Sequence, residues 1–94
     1  MPTQLVTCEE IADIVFNSED SDLNDLLCRV IKGRKYNIQQ LFIKIAVSIN
    51  GSLPYNVRMG TATESDRHML LQEKIRLDLT YYAIHSELST EPAF

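Results

Sequence analysis

The chain has 94 residues, which is enough for one domain but not for two. Its composition is 45% hydrophobic and 23% charged with three Gly and three Pro, which is ordinary for a globular domain and too apolar for a disordered chain. The net charge of −4 argues against a general binder of nucleic acids or anionic membranes, because such affinity comes from counterions released at Lys and Arg.

The first residues of the chain and its two cysteines indicate the cellular compartment of the protein. MPTQLVTCEE has neither the cationic nor the apolar part of a signal peptide, and no apolar run approaches the ~20 residues of a membrane span. Cys8 and Cys28 form no C-x-x-C motif and are expected to be reduced thiols, with a redox switch or an intermolecular disulfide as the alternative. We predict a cytoplasmic protein, without membrane contact, that forms one domain over residues 1–94, with residues 1–6 and 89–94 as frayed tails.

The first predicted helix is short and follows Thr7. Thr7 and Glu10 form a capping box, in which the threonine hydroxyl accepts from the Glu10 amide and the glutamate reaches back. The apolar residues that follow share one helical face: Ile11, Ile14 and Val15. Asn17 and Ser18 end this helix.

The second predicted helix runs from about Glu19 to Lys32. Its apolar residues recur at i, i+3, i+4, i+7 and i+8 and form one stripe: Leu23, Leu26, Leu27, Val30 and Ile31. Acidic residues occupy its first turn, while Arg29 and Lys32 occupy its last, as the helix dipole favours. Gly33 is predicted to end the helix with a positive φ, which costs glycine little.

The third predicted helix begins after Asn37, an N-cap with Gln40 three residues later, and stops at Gly51. Its apolar stripe is wide: Ile38, Leu41, Phe42, Ile45, Ala46 and Ile49, extended by Ile43 and Val47. A helix this apolar is expected to be buried on more than one side, within the chain or against a second chain. A long connection over residues 51–63 follows.

The last predicted helix begins near Thr63 and reaches about Glu87. It carries two adjacent apolar seams, of which the first is Leu70, Leu77, Tyr81, Ile84 and Leu88. The second seam is Leu71, Ile75, Leu79 and Tyr82. Two seams on one helix indicate two contacts, one with the core of the same chain and one with a symmetry mate.

These elements predict an all-α fold, in which a small bundle of three main helices is joined by a short N-terminal helix. No segment has the pattern of a strand. We expect a homodimer, and the candidates for its interface are Leu41, Ile45, Leu70, Leu77, Tyr81 and Ile84.

The corner between the second and third helices carries the main cluster of cations: Arg29, Lys32, Arg34 and Lys35. With the turn tyrosines Tyr36 and Tyr55, these residues are candidates for contact with a protein partner or a phosphate. Alternatively, the first two cations complement the end of their helix and the other two are solvated turn charges. Sequence-specific DNA reading is not favoured, because most of the following helix is committed to packing.

No pattern of a catalytic or metal site is found. His68 and His85 lie at opposite ends of one helix, and no phosphate-binding glycine loop or nucleophile–base pair is present. We therefore predict no enzyme activity, no metal and no cofactor. The acidic residues before Arg29 fit either a solvated helix face or a mimic of nucleic acid: Glu9, Glu10, Asp13, Glu19, Asp20, Asp22 and Asp25.

The stretch GRKYNIQQLFIKIAVSIN, followed by SDRHMLLQEKIRLDLTYY, resembles the YmgB/AriR family of small enterobacterial regulators. The shared pattern covers Leu23 to Ser86. Its first part is a leucine-rich helix that ends at Gly33. A hydrophobic residue, Tyr36, and Asn37 then open a very apolar helix. The last part is a final helix with Leu and Ile at spaced positions. The connection over residues 51–63 departs from the family, which usually turns more directly into the last helix.

The resemblance implies an all-helical homodimer without catalytic residues. Such proteins act as connectors on a phosphorelay response regulator and influence biofilm formation and acid resistance, and DNA binding has also been attributed to them. We therefore expect a two-component connector that binds a response regulator or another signalling protein. The alternatives are a nucleic-acid-associated regulator that uses the basic corner, and a phage- or plasmid-borne acidic inhibitor of a host protein.

Overall fold

The computed structural model describes residues 5–17, 21–33 and 36–88 of the chain. Over these residues it contains no strand and five helices: α1 Cys8–Asn17, α2 Ser21–Lys32, α3 Ile38–Asn50, α4 Tyr55–Arg58 and α5 Glu64–Leu88. The prediction of an all-α fold is confirmed. The predicted start of the second helix at Glu19 and most of both predicted tails lie outside the described residues.

Side-chain oxygens cap the first turns of three helices. The oxygen–amide pairs are Thr7–Glu10 at 3.1 Å, Asn37–Gln40 at 2.8 Å and Thr63–Asp66 at 3.0 Å. Each oxygen satisfies an amide that has no partner within its own helix. The caps predicted at Thr7 and Asn37 are thereby confirmed.

The Glu10 carboxylate forms an ion pair with another helix instead of completing a capping box. Arg67 of α5 donates from Nη2 to Glu10 Oε1 at 2.8 Å and from Nε to Oε2 at 3.2 Å. This two-pronged geometry fixes both side chains and joins α1 to α5. The prediction that Glu10 reaches back to cap its own helix is therefore wrong.

The core lies where the four longer helices meet. α2 packs chiefly against α5, and α1 packs chiefly against α3. Eight large aliphatic side chains at its centre are at most 1% exposed: Ile11, Leu23, Leu41, Ile45, Ile49, Leu71, Ile75 and Leu79. One of the two predicted seams of α5 is therefore the inner face of the bundle.

Two residues predicted at the dimer interface belong to this core. Leu41 and Ile45 are 0% exposed, because their face of α3 is covered by other helices of the same chain. These two side chains have no surface to offer to a second copy. The wide apolar stripe of α3 nevertheless continues outside the core, since Ile43 and Val47 are 47% and 67% exposed.

Val6 anchors the segment before α1. Its side chain is buried, its amide donates to Asn50 Oδ1 at 2.7 Å, and its carbonyl accepts from Asn50 Nδ2 at 2.9 Å. The last residue of the tail predicted over residues 1–6 is therefore held against the end of α3.

Gly33 ends α2 as predicted, but without the predicted positive φ. Among the described glycines only Gly60 lies in the left-handed region, with φ 78°. Gly33 is instead required by the approach of α5, because a Cβ there would lie 1.7 Å from Ser86 Oγ. The buried Ser86 hydroxyl also donates to the Val30 carbonyl at 3.4 Å.

The connection between α3 and α5 is folded rather than an open loop. It contains the single-turn helix α4, and Leu53 and Val57 are buried in the core. Gly60 then makes the turn towards α5 with its positive φ. This connection lies at the end of α3 opposite to the α2–α3 corner.

Candidate interaction site

The α2–α3 corner lies against the C-terminal half of α5 and forms an aromatic cluster with it. The Tyr36 ring meets Tyr82 edge-on, with 5.2 Å between ring centroids. Tyr82 in turn contacts Tyr81 at 5.4 Å, and Tyr81 lies 5.9 Å from the His85 ring. We call these four residues, Tyr36, Tyr81, Tyr82 and His85, the aromatic corner.

The aromatic corner combines buried and exposed surface. Tyr81 is 61% exposed, while the other three rings are half-buried. Burial raises the pKa of the Tyr82 hydroxyl, and the nearby Asp78, Tyr36 and Tyr81 raise that pKa further. The hydroxyl is therefore neutral at physiological pH and can donate a hydrogen bond. Rigid rings with polar tips are the side chains that most often anchor protein interfaces.

Polar groups of α5 face α3 and the connection that follows it. Lys74 Nζ donates to Ser52 Oγ at 3.2 Å, and the Ser48 hydroxyl and Lys74 both act to lower the pKa of the Asp78 carboxyl. Asp78 Oδ2 and His85 Nδ1 are buried without a hydrogen-bond partner among the described residues. Unsatisfied buried polar atoms of this kind reduce stability.

Replacing Asp78 with asparagine is expected to stabilise the fold at neutral pH. Burial raises the pKa of the Asp78 carboxyl above its ordinary 3.8, and the Ser48 hydroxyl and Lys74 offset only part of this effect. Because the folded protein binds this proton more tightly than the unfolded chain, wild-type stability falls as the pH rises from 3.8 through the folded-state pKa.

Urea denaturation of both proteins at about pH 3 and about pH 7 measures the effect. The asparagine variant should gain stability relative to the wild type at the higher pH and show little gain at the lower one. A variant that loses stability at pH 7 would show that the charged carboxylate is favourable in the fold.

The predicted basic residues are only partly brought to this site. Lys32 is exposed at the end of α2. Arg29 instead lines an open groove of about 280 Å³ between α2 and α5, together with Asp22 and Asp25. Arg34 and Lys35 lie outside the described residues.

The two predicted turn tyrosines are far apart. Tyr36 belongs to the aromatic corner, whereas Tyr55 begins α4 and is 70% exposed at the other end of α3. A helix of 13 residues is about 20 Å long, so the two tyrosines cannot share a small ligand.

The exposed seam of α5 continues from the aromatic corner along the outer surface. Leu77, Tyr81 and Ile84 are 65%, 61% and 50% exposed, and Leu70 is half-buried. We call Leu70, Leu77, Tyr81 and Ile84 the outer α5 stripe. Large apolar side chains grouped on one exposed helical face are typical of an interaction surface.

Some contacts of the site could have been found in the sequence and others could not. The i, i+4 spacing of Tyr81 and His85 on one predicted helix indicates that pair. The contact of Tyr36 with Tyr82 joins distant segments, and no local signal reveals it. The same is true of the close approach of Ser86 to Gly33.

Comparison of the chain with protein-family models, curated proteins and solved structures returns no match. Within the described part of the chain, no group of three His, Cys, Asp or Glu residues is placed to hold a metal ion. None of the described helices is long and apolar enough to cross a bilayer.

Proposed function

We propose that this protein is a non-enzymatic regulatory module that pairs with a second copy and binds a signalling protein. Its outer α5 stripe, which includes Tyr81, would form the pairing surface, and Tyr36 of the aromatic corner would contact the partner together with Lys32. The observation that carries the proposal is the row of exposed apolar side chains on α5, which runs into the aromatic corner without being covered by described residues of the chain.

More specifically, we propose a cytoplasmic two-component connector of the YmgB/AriR kind. Its partner would be a phosphorelay response regulator, and its effect would be on biofilm and acid-resistance gene expression. The resemblance over Leu23 to Ser86 supports this assignment, and the all-helical fold and the cap at Asn37 agree with it.

Sedimentation of the purified protein and of the Leu77→Asp variant tests the pairing surface. We expect a dimer at micromolar concentration for the wild type and a monomer for the variant, because a buried carboxylate opposes association. Tyr55→Asp is the matched control, since Tyr55 is also exposed but lies on α4. A monomeric wild type would contradict the proposal.

Titration of a phosphorelay response regulator into the protein at about 150 mM salt tests the partner site. Lys32→Glu is expected to weaken binding about tenfold by reversing a charge beside the aromatic corner. Arg58→Glu is the matched control, because Arg58 is an exposed cation on α4, away from the aromatic corner. No binding to the wild type, or equal losses in both variants, would contradict the assigned partner site.

The two alternative functions have less support from the geometry. A nucleic-acid role depends on the basic corner, but Arg29 shares its groove with Asp22 and Asp25. An acidic inhibitor depends on free carboxylates near the N-terminus, but Glu10 is engaged by Arg67. Retardation of duplex DNA that is lost with rising salt would favour the first alternative over our proposal.

A further inference from the structure

A second apolar surface lies between α1 and α3, on elements that the outer α5 stripe does not use. It is an open groove of about 440 Å³, and we call it the α1–α3 groove. Its lining residues are Cys8, Glu9, Ala12, Phe16, Ile38, Gln39 and Phe42. Almost all of them present apolar atoms to the groove.

The spacing of the lining residues makes the groove a trough along α1. Cys8, Ala12 and Phe16 follow each other at i, i+4 and i+8, so they form one stripe on the helix. Their stripe is about 12 Å long, which matches two turns of a helix laid alongside. The small side chains of Cys8 and Ala12 leave the depth that an inserted leucine or phenylalanine would fill.

Phe16 closes one end of the trough. It meets Phe42 edge-on with 6.0 Å between ring centroids, yet it remains 51% exposed. Ile38 on the α3 side is 41% exposed. In the free chain these two side chains expose much apolar area to water, and an apolar partner would cover that area.

The rim of the groove selects the charge of the partner. Glu9 lines the groove and is exposed, whereas Asp13, one turn further along α1, lines a separate pocket with Glu10 and Arg67. Glu9 pairs with no cation of the described residues, while Glu10 is held by Arg67. The α3 wall contributes the neutral Gln39. Among the described lining residues, the one charge is therefore negative and lies beside an apolar floor.

We infer that the α1–α3 groove binds an amphipathic helix with basic flanks from a partner protein. Apolar anchors at i, i+3 or i+4 and i+7 of that helix would enter the trough, and a Lys or Arg beside them would meet Glu9. This surface is separate from the aromatic corner and from the outer α5 stripe, so it does not rest on the function proposed above.

A pair of synthetic helical peptides tests the inference. Both carry leucines at i, i+3, i+4 and i+7, and they differ only in having lysine or glutamate at the flanking positions. The lysine peptide should bind the full chain at least tenfold more tightly than the glutamate peptide, and its affinity should fall with salt. Equal affinities, or no binding of the lysine peptide, would overturn the inference.

Two variants locate the binding in the groove. Phe16→Ala should weaken binding of the lysine peptide about tenfold by removing an apolar wall. Glu9→Lys changes an exposed side chain without touching the core, and it should weaken binding of the same peptide as well. Leu77→Asp, on the outer α5 stripe, should bind the peptide like the wild type. Unchanged binding in both groove variants would overturn the inference.

Cysteine reactivity provides a readout that does not depend on affinity. Cys8 lines the groove and is half-buried, whereas Cys28 lies exposed on α2. Saturating lysine peptide should slow maleimide labelling of Cys8 and leave labelling of Cys28 unchanged. Equal labelling of Cys8 with and without peptide would place the peptide elsewhere. If Phe16→Ala abolished dimerisation, the groove would belong to a second copy, which would also overturn the inference.

Discussion

The Gly33→Ala variant is expected to lose about 1–3 kcal/mol of the free energy of unfolding. The added Cβ would lie 1.7 Å from Ser86 Oγ and 3.0 Å from Ser86 Cβ. Rotation of the hydroxyl could relieve the first overlap, but the second requires the backbones of α2 and α5 to separate. Ser86 is 1% exposed, so its surroundings leave no free space for that movement. Urea denaturation followed by circular dichroism measures the loss.

The chain offers a matched control at another helix end. At Gly51 an added Cβ would meet no atom closer than 3.5 Å, and φ is −72°. Gly51→Ala should therefore be neutral or stabilising by about 0.4–1 kcal/mol, because it restricts the unfolded chain. Combining Gly33→Ala with Ser86→Gly should restore part of the lost stability. Equal tolerance of alanine at both glycines would show that α2 and α5 do not approach as closely as described.

Gly33 also shows what the sequence could and could not predict about the fold. Its role as the end of α2 was readable, because the apolar stripe stops there and glycine is common at helix ends. The prediction that this position needs glycine because of a positive φ was wrong. The true reason is contact with Ser86, and no local pattern relates two residues so far apart in the chain.

Local signals placed the helices well where short-range contacts decide the structure. The caps at Thr7 and Asn37 depend on hydrogen bonds spanning three residues, so their residue types alone predict them. The capping role of Glu10 failed because a tertiary partner, Arg67, competes for the same carboxylate. The helix α4 was missed because four residues are too few to show a 3.6-residue period.

The candidate site was predicted in parts for the same reason. Periodicity identified two apolar seams on α5, but it cannot say which seam faces inward. It also could not show that Leu41 and Ile45 are consumed by the core of their own chain, since that depends on how α3 meets α1 and α5. Tyr36 was singled out as a turn residue, while its partner Tyr82 became evident only from the packing of the corner.

Leu79 and Leu77 are expected to respond very differently to truncation, although they are the same residue type two positions apart on α5. Leu79 is 0% exposed, so Leu79→Ala should lose about 2–5 kcal/mol through lost burial and the cavity left behind. Leu77 is 65% exposed, so Leu77→Ala should change the stability of the single chain by about 0.5 kcal/mol or less. Urea denaturation at a concentration where sedimentation shows only monomer gives both values.

The same pair separates folding from association when the protein concentration is raised. If the outer α5 stripe pairs two chains, the unfolding midpoint of the wild type rises with concentration, because association stabilises only the folded state. Leu77→Ala should reduce this rise while keeping the monomer's stability. Leu79→Ala should lower the midpoint at every concentration. Equal losses for the two variants in the monomer would contradict the assignment of one seam to the core and the other to the surface. An unfolding midpoint that does not depend on protein concentration would contradict the proposal that the outer α5 stripe pairs two chains.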